Sequence, residues 1–195
     1  MSKSLKILAT ILAVAAIPYA QAIMVTVDAK VNSSSGGSGF DTGIDLVTGQ
    51  AFGASADLDD LWSAGTLPRW SNADGLDGDL FATGFDESGQ AAGTKIGQDF
   101  GLWNQDGASF HYGSLVGQIG AGSFFKLGTS FAGNANATGR LLLYYWDSNS
   151  GDNAESIKVT FKIGDGKPVP DQGGLILSFL GLGMLFLFSR MKKRQ

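Results

Sequence analysis

The stretch Ile157-Lys158-Val159-Thr160-Phe161-Lys162-Ile163 decides the fold class of this chain of 195 residues. Large apolar side chains alternate with lysine or threonine, and successive side chains of a β-strand point to opposite faces. The pattern therefore predicts a strand with one buried and one solvated face. We expect Phe161 on the buried face, in a core that includes Leu141 and Leu143.

Further candidate strands precede this one. Residues 24–31 alternate in the same way, with Val25, Val27, Ala29 and Val31 expected on the buried face. Weaker patterns predict short strands at 44–48, 50–56, 114–119, 124–127 and 140–146. Residues 64–105 look irregular, as expected of a functional or poorly ordered insertion. No segment of the body has the pattern of an amphipathic helix, so we expect an all-β protein, a β-sandwich or jelly roll.

The first 22 residues are predicted to be a secretory signal peptide. Lys3 and Lys6 provide a positive start, residues 7–20 are apolar, and Ala20-Gln21-Ala22 is a small-x-small cleavage site. We expect signal peptidase to cut after Ala22, so that the body of the protein is exported.

Residues 173–195 are predicted to form a single transmembrane helix with a basic tail. The apolar span covers 174–189 and is followed by the Arg/Lys cluster 190–194, which is expected to stay inside the cell. At ~1.5 Å per residue the span covers only ~24 Å of a ~30 Å bilayer core. So short a span favours a transient processing signal over a permanent anchor.

Together with Val169-Pro170-Asp171, these features resemble the PEP-CTERM sorting signal of Gram-negative bacteria in its Val-Pro-Asp variant. Asp171-Gln172 stands where Glu-Pro is commonest in that family. The resemblance implies cleavage near Pro170 and Asp171 by an exosortase-type membrane protease. It also implies an intermediate tethered to the inner membrane, followed by release to the cell surface or extracellular matrix. An ordinary C-terminal anchor is the alternative.

Composition limits the part between the two signals to one domain, residues 23–163, followed by a linker at 164–172. Cysteine is absent, so no disulfide framework can stabilise the exported domain. Residues 23–173 contain all 18 acidic residues but only eight of the 14 basic ones, which gives a net charge of −10. Such a domain attracts cations and repels nucleic acid, so no nucleic-acid partner is expected.

Catalysis has little support in this sequence. His111 is the only histidine, and no Gly-x-Ser-x-Gly motif accompanies it. We interpret it as an ordinary histidine at a strand edge and expect the protein not to be an enzyme. Neighbouring carboxylates such as Asp59 and Asp60 are too common in this chain to identify a glycosidase pair.

The loop Asp147-Ser148-Asn149-Ser150-Gly151-Asp152-Asn153 is a candidate cation site. It lies between two predicted strands and offers two carboxylates, two carboxamides and two hydroxyls. Ca²⁺ takes six to eight such hard oxygen ligands at about 2.3–2.6 Å. The same residue types also dominate solvated hairpin loops, and composition alone favours neither interpretation.

The body resembles the calcium-dependent galactophilic lectins of Gram-negative bacteria, a family of small β-sandwiches with a galactose-binding-like fold. Four segments carry the resemblance in order: Asp41–Ile44 with Thr48–Gln50; Ala54–Gly65; Gly113–Gly120 with Phe124–Gly128; and Gly139–Leu143 through Asp147, Asp152 and Asn153 to Ile157.

This resemblance implies one Ca²⁺ held by the side chains of Asp147, Asp152 and Asn153. Main-chain carbonyls near Asn149 and Gly65 would complete the shell. A sugar would then bind to the metal and to the same three side chains. The sugar-contacting His-Pro-Asp-Gln segment of these lectins corresponds to Asn72-Ala73-Asp74-Gly75, which has neither the His nor the Gln, so Asn72 and Asp74 are the further candidate contacts.

The sequence thus predicts an exported, surface-sorted, calcium-binding, lectin-like protein that recognises a glycan or exopolysaccharide. The alternative is a structural protein of the surface or matrix with the same fold and no saccharide ligand. In that case a metal ion would only stabilise a sandwich that lacks disulfides.

Overall fold

The computed structural model describes residues 22–164, which form fourteen β-strands and no helix. The first seven strands are β1 (Ile23–Asp28), β2 (Phe40–Leu46), β3 (Ala51–Ala56), β4 (Trp62–Ser63), β5 (Trp70–Ser71), β6 (Leu80–Phe81) and β7 (Lys95–Gly97). The others are β8 (Leu102–Gln105), β9 (Ala108–His111), β10 (Leu115–Ile119), β11 (Phe125–Lys126), β12 (Ser130–Asn134), β13 (Gly139–Tyr145) and β14 (Ser156–Ile163). The all-β prediction is confirmed.

Two four-stranded antiparallel sheets form the body of the domain. One has the order β1-β14-β3-β12 and the other the order β11-β10-β13-β2. In the first sheet Phe161 of β14 pairs with Ile23 on one side and with Ala54 on the other. Except for β10 and β11, the strands that neighbour one another in these sheets are distant in sequence.

The core lies between the two sheets, as in a β-sandwich. The alternation predicted for β14 is present, since Ile157, Val159 and Phe161 are fully buried. They belong to one apolar cluster with Leu141 and Leu143 of β13 on the opposite sheet. The predicted core that includes Phe161, Leu141 and Leu143 is therefore confirmed.

One prediction about the first strand is wrong. Val31 was expected on the buried face with Val27 and Ala29, but it is 63% exposed while those two are fully buried. The strand ends at Asp28, whose Oδ1 accepts hydrogen bonds from the amides of Lys30 and Val31. This Asx turn redirects the chain, so the period of two stops before Val31.

The segment expected to be irregular, residues 64–105, contributes to three short strand pairs, two of which extend beyond its ends. β4 pairs with β5, β6 with β7, and β8 with β9. Leu61, Ala82 and Ile96 form a small second core beside the sandwich. These ladders cover one end of the sheets and supply one wall of the candidate site.

The β8–β9 hairpin turns at Asp106 and Gly107, both of which have positive φ, as a two-residue type I′ turn requires. It contacts the sandwich through the buried indole of Trp146, which donates a hydrogen bond to the carbonyl of Trp103 at 2.8 Å. Gln105 donates another to the carbonyl of Ser34 at 2.9 Å. The hairpin therefore lies beside the loop that follows β13.

The predicted signal peptide, sorting motif and transmembrane segment lie outside the described residues, apart from Ala22 at the boundary. Within residues 22–164, no helix has the length and apolarity needed to cross a bilayer.

Candidate functional site

The loop from Asp147 to Asn153 connects β13 to β14, as predicted, and both of its ends are fixed. At the start, the hydroxyl of Ser34 accepts a hydrogen bond from the Asp147 amide at 3.2 Å and donates one to the Asp147 carbonyl at 3.1 Å. At the end, Ala154 and Ser63 of β4 exchange two backbone hydrogen bonds of 3.0 Å. The polar side chains of this loop therefore project from a backbone that is held on both sides.

Asp147 is a buried carboxylate at the start of this loop. Asp147 is only 4% exposed, and its Oδ1 accepts a hydrogen bond from the Ser148 amide at 2.7 Å. Burial raises the pKa of Asp147 to about 6, although the Ser148 amide, the Asn153 side chain and the Asn149 amide lower it, and the charge of Asp152 raises it further. The surrounding protein therefore does not fully offset the cost of burying this charge.

Asn153 leaves an acceptor unsatisfied next to this carboxylate. The residue is 5% exposed, and its Nδ2 donates to the carbonyl of Ala29 at 3.0 Å. Its Oδ1 is buried and has no hydrogen-bond partner within the described chain. A buried acceptor without a donor costs free energy unless water or a ligand meets it.

Asp152 is the second carboxylate of the loop and is partly exposed. Its Oδ2 forms an ion pair with Nη1 of Arg69 at 3.2 Å, and its Oδ1 accepts from the carboxamide of Asn149 at 3.3 Å. Gly65 passes so close that a Cβ there would lie 2.6 Å from Asp152 Oδ2. Gly65 also has a φ of +123°, so any side chain at this position would be strained and would displace the carboxylate.

These side chains open into a cavity of about 310 Å³. One wall is polar and consists of Arg69, Asp147, Ser148, Asn149 and Asp152. The other is mainly apolar and consists of Ala64, Leu76, Phe100 and Tyr112. A concave site with an apolar wall and a few convergent polar groups suits a small polar ligand.

The structure brings some of the predicted residues together and leaves others apart. Asp147, Asn149 and Asp152 line one cavity, Gly65 packs against Asp152, and Asn153 lies behind Asp147. The carbonyl of Gly65, a predicted ligand, accepts a hydrogen bond from the Ser63 hydroxyl.

Asn72 and Asp74 do not line this cavity. Asn72 Oδ1 accepts from the Asp74 amide at 2.9 Å. The two carboxylate oxygens of Asp74 accept from the amide and the hydroxyl of Thr129 at 3.0 and 2.7 Å. Both side chains thus take part in internal hydrogen bonds, and their role in sugar binding stays a prediction.

Five lining residues are not among the predicted site residues: Ala64, Arg69, Leu76, Phe100 and Tyr112. They come from segments where the sequence shows no strong periodicity, between β4 and β10. The sequence offers one indication for Arg69, because basic residues are few in so acidic a domain. Nothing in the sequence indicates that Phe100 and Tyr112 meet at the same wall.

The donor set fits a hard cation only if neutral oxygens contribute. Within residues 22–164, no three His, Cys, Asp or Glu side chains converge as a metal-binding group. Asp147 and Asp152 would supply two anionic oxygens, and the unpartnered Oδ1 of Asn153 would supply a neutral one. Ca²⁺ accepts such a mixture of carboxylate, carboxamide and carbonyl oxygens, whereas Zn²⁺ prefers His and Cys.

His111 is the last residue of β9 and does not line the cavity. Its Nδ1 lies 3.3 Å from Asp99 Oδ1 and makes no hydrogen bond within the described residues.

The chain is similar to a solved structure described as "EclA N-terminal domain; PllA-like lectin". The two share 18% sequence identity with a TM-score of 0.46, over 72% of this chain and 95% of that chain. No protein-family model and no curated protein sequence matches the chain. At this level of identity the similarity assigns no residue of the site.

Proposed function

We propose that the protein is a calcium-dependent, lectin-like binding protein rather than an enzyme. In this proposal the loop after β13 holds one Ca²⁺, and the cavity beside it receives a glycan. The observation that carries the proposal is the incomplete satisfaction of two adjacent buried groups, the carboxylate of Asp147 and the Oδ1 of Asn153.

A bound cation would meet both deficits at once. It would stabilise the ionised form of Asp147, which burial otherwise disfavours, and it would coordinate the unpaired oxygen of Asn153. Asp152 would contribute the second charge. The fixed backbone of the loop supports this role, because pre-arranged ligands lose less conformational entropy on binding.

The shape of the cavity supports a saccharide as the ligand. Its polar wall carries hydrogen-bond donors and acceptors that match hydroxyl groups, and its opposite wall presents the rings of Phe100 and Tyr112. A pyranose has the same division, with hydroxyls at its edge and C–H groups on its faces. Calcium bound at the polar wall would supply open coordination positions for sugar hydroxyls.

The setting of this function is also a proposal. The predicted signal peptide and the PEP-CTERM-like segment support export of the domain and its sorting to the cell surface. There the domain would meet glycans or exopolysaccharide in a medium that contains free Ca²⁺.

The test is a titration of the purified protein with Ca²⁺, followed by binding to a glycan array with and without EDTA. We expect Ca²⁺ to raise the melting temperature by mass action and at least one class of saccharide to be retained only with Ca²⁺. The matched variants are Asp152→Asn, which removes a charge from the cavity, and Asp45→Asn, which removes one from an exposed pair with Arg140 outside the cavity.

The two candidate functions separate in this experiment. A calcium effect on melting without retention of any saccharide favours the structural surface protein. No effect of either Ca²⁺ or EDTA would mean that the loop is only a turn, and the proposed function would be wrong.

A further inference from the structure

Arg69 is the only Lys or Arg side chain that lines the cavity within the described part of the chain. Its guanidinium carries five N–H donors in a planar fork, yet its one side-chain hydrogen bond among these residues goes to Asp152 Oδ2. About 46% of the side chain is exposed. Most of its donors are thus available to a ligand in the cavity.

The aromatic wall helps to hold this guanidinium in place. The Cζ atom of Arg69 lies 5.8 Å from the ring centroid of Phe100, a cation–π arrangement that restricts the side chain. The ion pair with Asp152 restricts it from the other side. A planar guanidinium that is restrained by both Phe100 and Asp152 suits bidentate recognition of a carboxylate.

The charge of the cavity depends on whether a cation is bound. Without a metal, the two carboxylates of Asp147 and Asp152 outweigh Arg69, so the lining has one net negative charge. A divalent cation would neutralise both carboxylates and leave the charge of Arg69 uncompensated. The cavity would then attract an anion in a domain whose overall charge repels one.

We propose that the ligand of this cavity is an acidic saccharide, with the carboxylate of a uronic acid bound by Arg69. This inference rests on the proposed calcium-dependent function and names the substrate class of the same site. The pyranose ring would lie against Phe100 and Tyr112, and its hydroxyls would face the loop after β13.

The experiment compares matched sugars that differ only at C6: galacturonate with galactose, and glucuronate with glucose. Affinities are measured by calorimetry on the purified chain with Ca²⁺ in large excess, since uronates bind some of the metal themselves. We expect one uronate to bind roughly tenfold more tightly than its neutral counterpart. This factor is what one charge-assisted hydrogen-bonded pair contributes when it is partly exposed to solvent.

Variants assign the preference to Arg69. Arg69→Gln should lose the roughly tenfold preference, and Arg69→Lys should keep part of it because the charge stays while the fork is lost. Arg140→Gln is the matched control, since Arg140 is also about half exposed and paired with aspartates but lies outside the cavity. It should bind both sugars like the parent. Cooperative melting of each variant in EDTA checks that it is folded.

The outcomes separate this inference from the proposed function. Equal affinity for uronates and neutral sugars, or no binding of either while Ca²⁺ still raises the melting temperature, overturns the acidic-saccharide proposal alone. An unchanged preference in folded Arg69→Gln also overturns it. Absence of any calcium effect overturns the proposed function itself.

Discussion

Asp74 and Asp147 are both aspartates packed against the sandwich, and they differ in what surrounds their carboxylates. Asp74 accepts two hydrogen bonds from Thr129, and its amide is held by Asn72. Asp147 is more deeply buried, accepts from Ser148, and adjoins an unpartnered oxygen of Asn153. The first carboxylate has donors from a distant segment, whereas the second has a pKa raised by burial and an unpartnered acceptor beside it.

This contrast separates two uses of a polar segment. Residues 72–75 and 147–153 have similar compositions of Asp, Asn and Gly, so composition cannot distinguish them. The hydrogen-bond partners of Asp74 and Asp147 do distinguish the two segments. A carboxylate with internal donors stabilises the fold, while a carboxylate short of donors is a candidate ligand for a cation.

The largest expected effect comes from a carboxylate placed where no donor exists at all. Phe161 is fully buried in the apolar cluster between the sheets. Phe161→Asp would leave a charge without a partner, at a cost of several kcal/mol against a total stability of ~5–15 kcal/mol. We expect the domain to unfold, which circular dichroism and loss of cooperative melting would detect.

The control is Lys158→Asp on the solvated face of the same strand, which should keep a cooperative transition. A folded Phe161→Asp variant would contradict the assignment of β14 to the core. It would also weaken the premise that buried carboxylates without donors are costly in this protein.

The core was predictable because alternation is a local signal. The sequence predicts strand β14 with nearly correct ends, and it predicts Leu141 and Leu143 of β13 in the same core. Strand β12 was missed, because Ser130-Phe131-Ala132-Gly133-Asn134 has one large apolar side chain and lies at a sheet edge, where little burial is required. Val31 was misplaced because the Asx turn at Asp28 depends on a side-chain hydrogen bond, not on a period.

The candidate site was predictable only in part, for a related reason. The loop after β13 is one continuous segment, so its oxygen-bearing side chains could be recognised together. The rest of the lining combines Arg69 of the polar wall with Phe100 and Tyr112 of the apolar wall, and the topology brings these three residues close from separate segments. The hydrogen bonds of Asp74 also come from a distant residue, Thr129, and no local sequence pattern indicates them.

The second prediction tests the satisfied carboxylate. Asp74→Ala removes both acceptors of Thr129 and loosens the contact between residues 72–75 and the sandwich. Hydrogen bonds to charged groups are worth about 1.5–3 kcal/mol each, so we expect a loss of roughly 3 kcal/mol in the free energy of unfolding, measured with urea. The loss should be the same with and without Ca²⁺.

Asp77→Ala is the control for this variant, because Asp77 is exposed and three residues away. It should change the free energy of unfolding by less than about 0.5 kcal/mol. If Asp74→Ala melts like the parent but no longer responds to Ca²⁺, the roles assigned to the two aspartates are reversed.

The third prediction concerns the calcium response itself. A saturating ligand at about 100 times its dissociation constant adds about 2.7 kcal/mol of stability. Asp147→Ala and Asp152→Ala should each lose most of this gain, because each removes a ligand and a charge. Asn153→Ala should lose less, since a neutral oxygen contributes less to the binding of a hard cation.

Differential scanning calorimetry at fixed Ca²⁺ and in EDTA measures these gains, with Asp77→Ala again as the control. The prediction is wrong if Asp147→Ala keeps the full rise in melting temperature, or if Asp77→Ala loses it.

The smallest expected effect is the pH dependence of the metal-free protein. The folded-state pKa of Asp147 is raised from 3.8 to about 6, mainly by burial. Between these values the folded chain keeps a proton that the unfolded chain releases, so the contribution of Asp147 to stability falls as pH rises. From pH 5 to pH 7 this loss is roughly 1 kcal/mol.

Other groups titrate over the same range, so the parent is compared with Asp147→Asn, which cannot ionise at this position. In EDTA, urea denaturation at pH 5 and pH 7 should show the parent losing roughly 1 kcal/mol more than the variant over this interval. Saturating Ca²⁺ at pH 7 should reverse the difference, because the ionised carboxylate then has a counter-charge. Parallel pH profiles in EDTA would mean that Asp147 is as well satisfied as Asp74, and the contrast between the two aspartates would disappear.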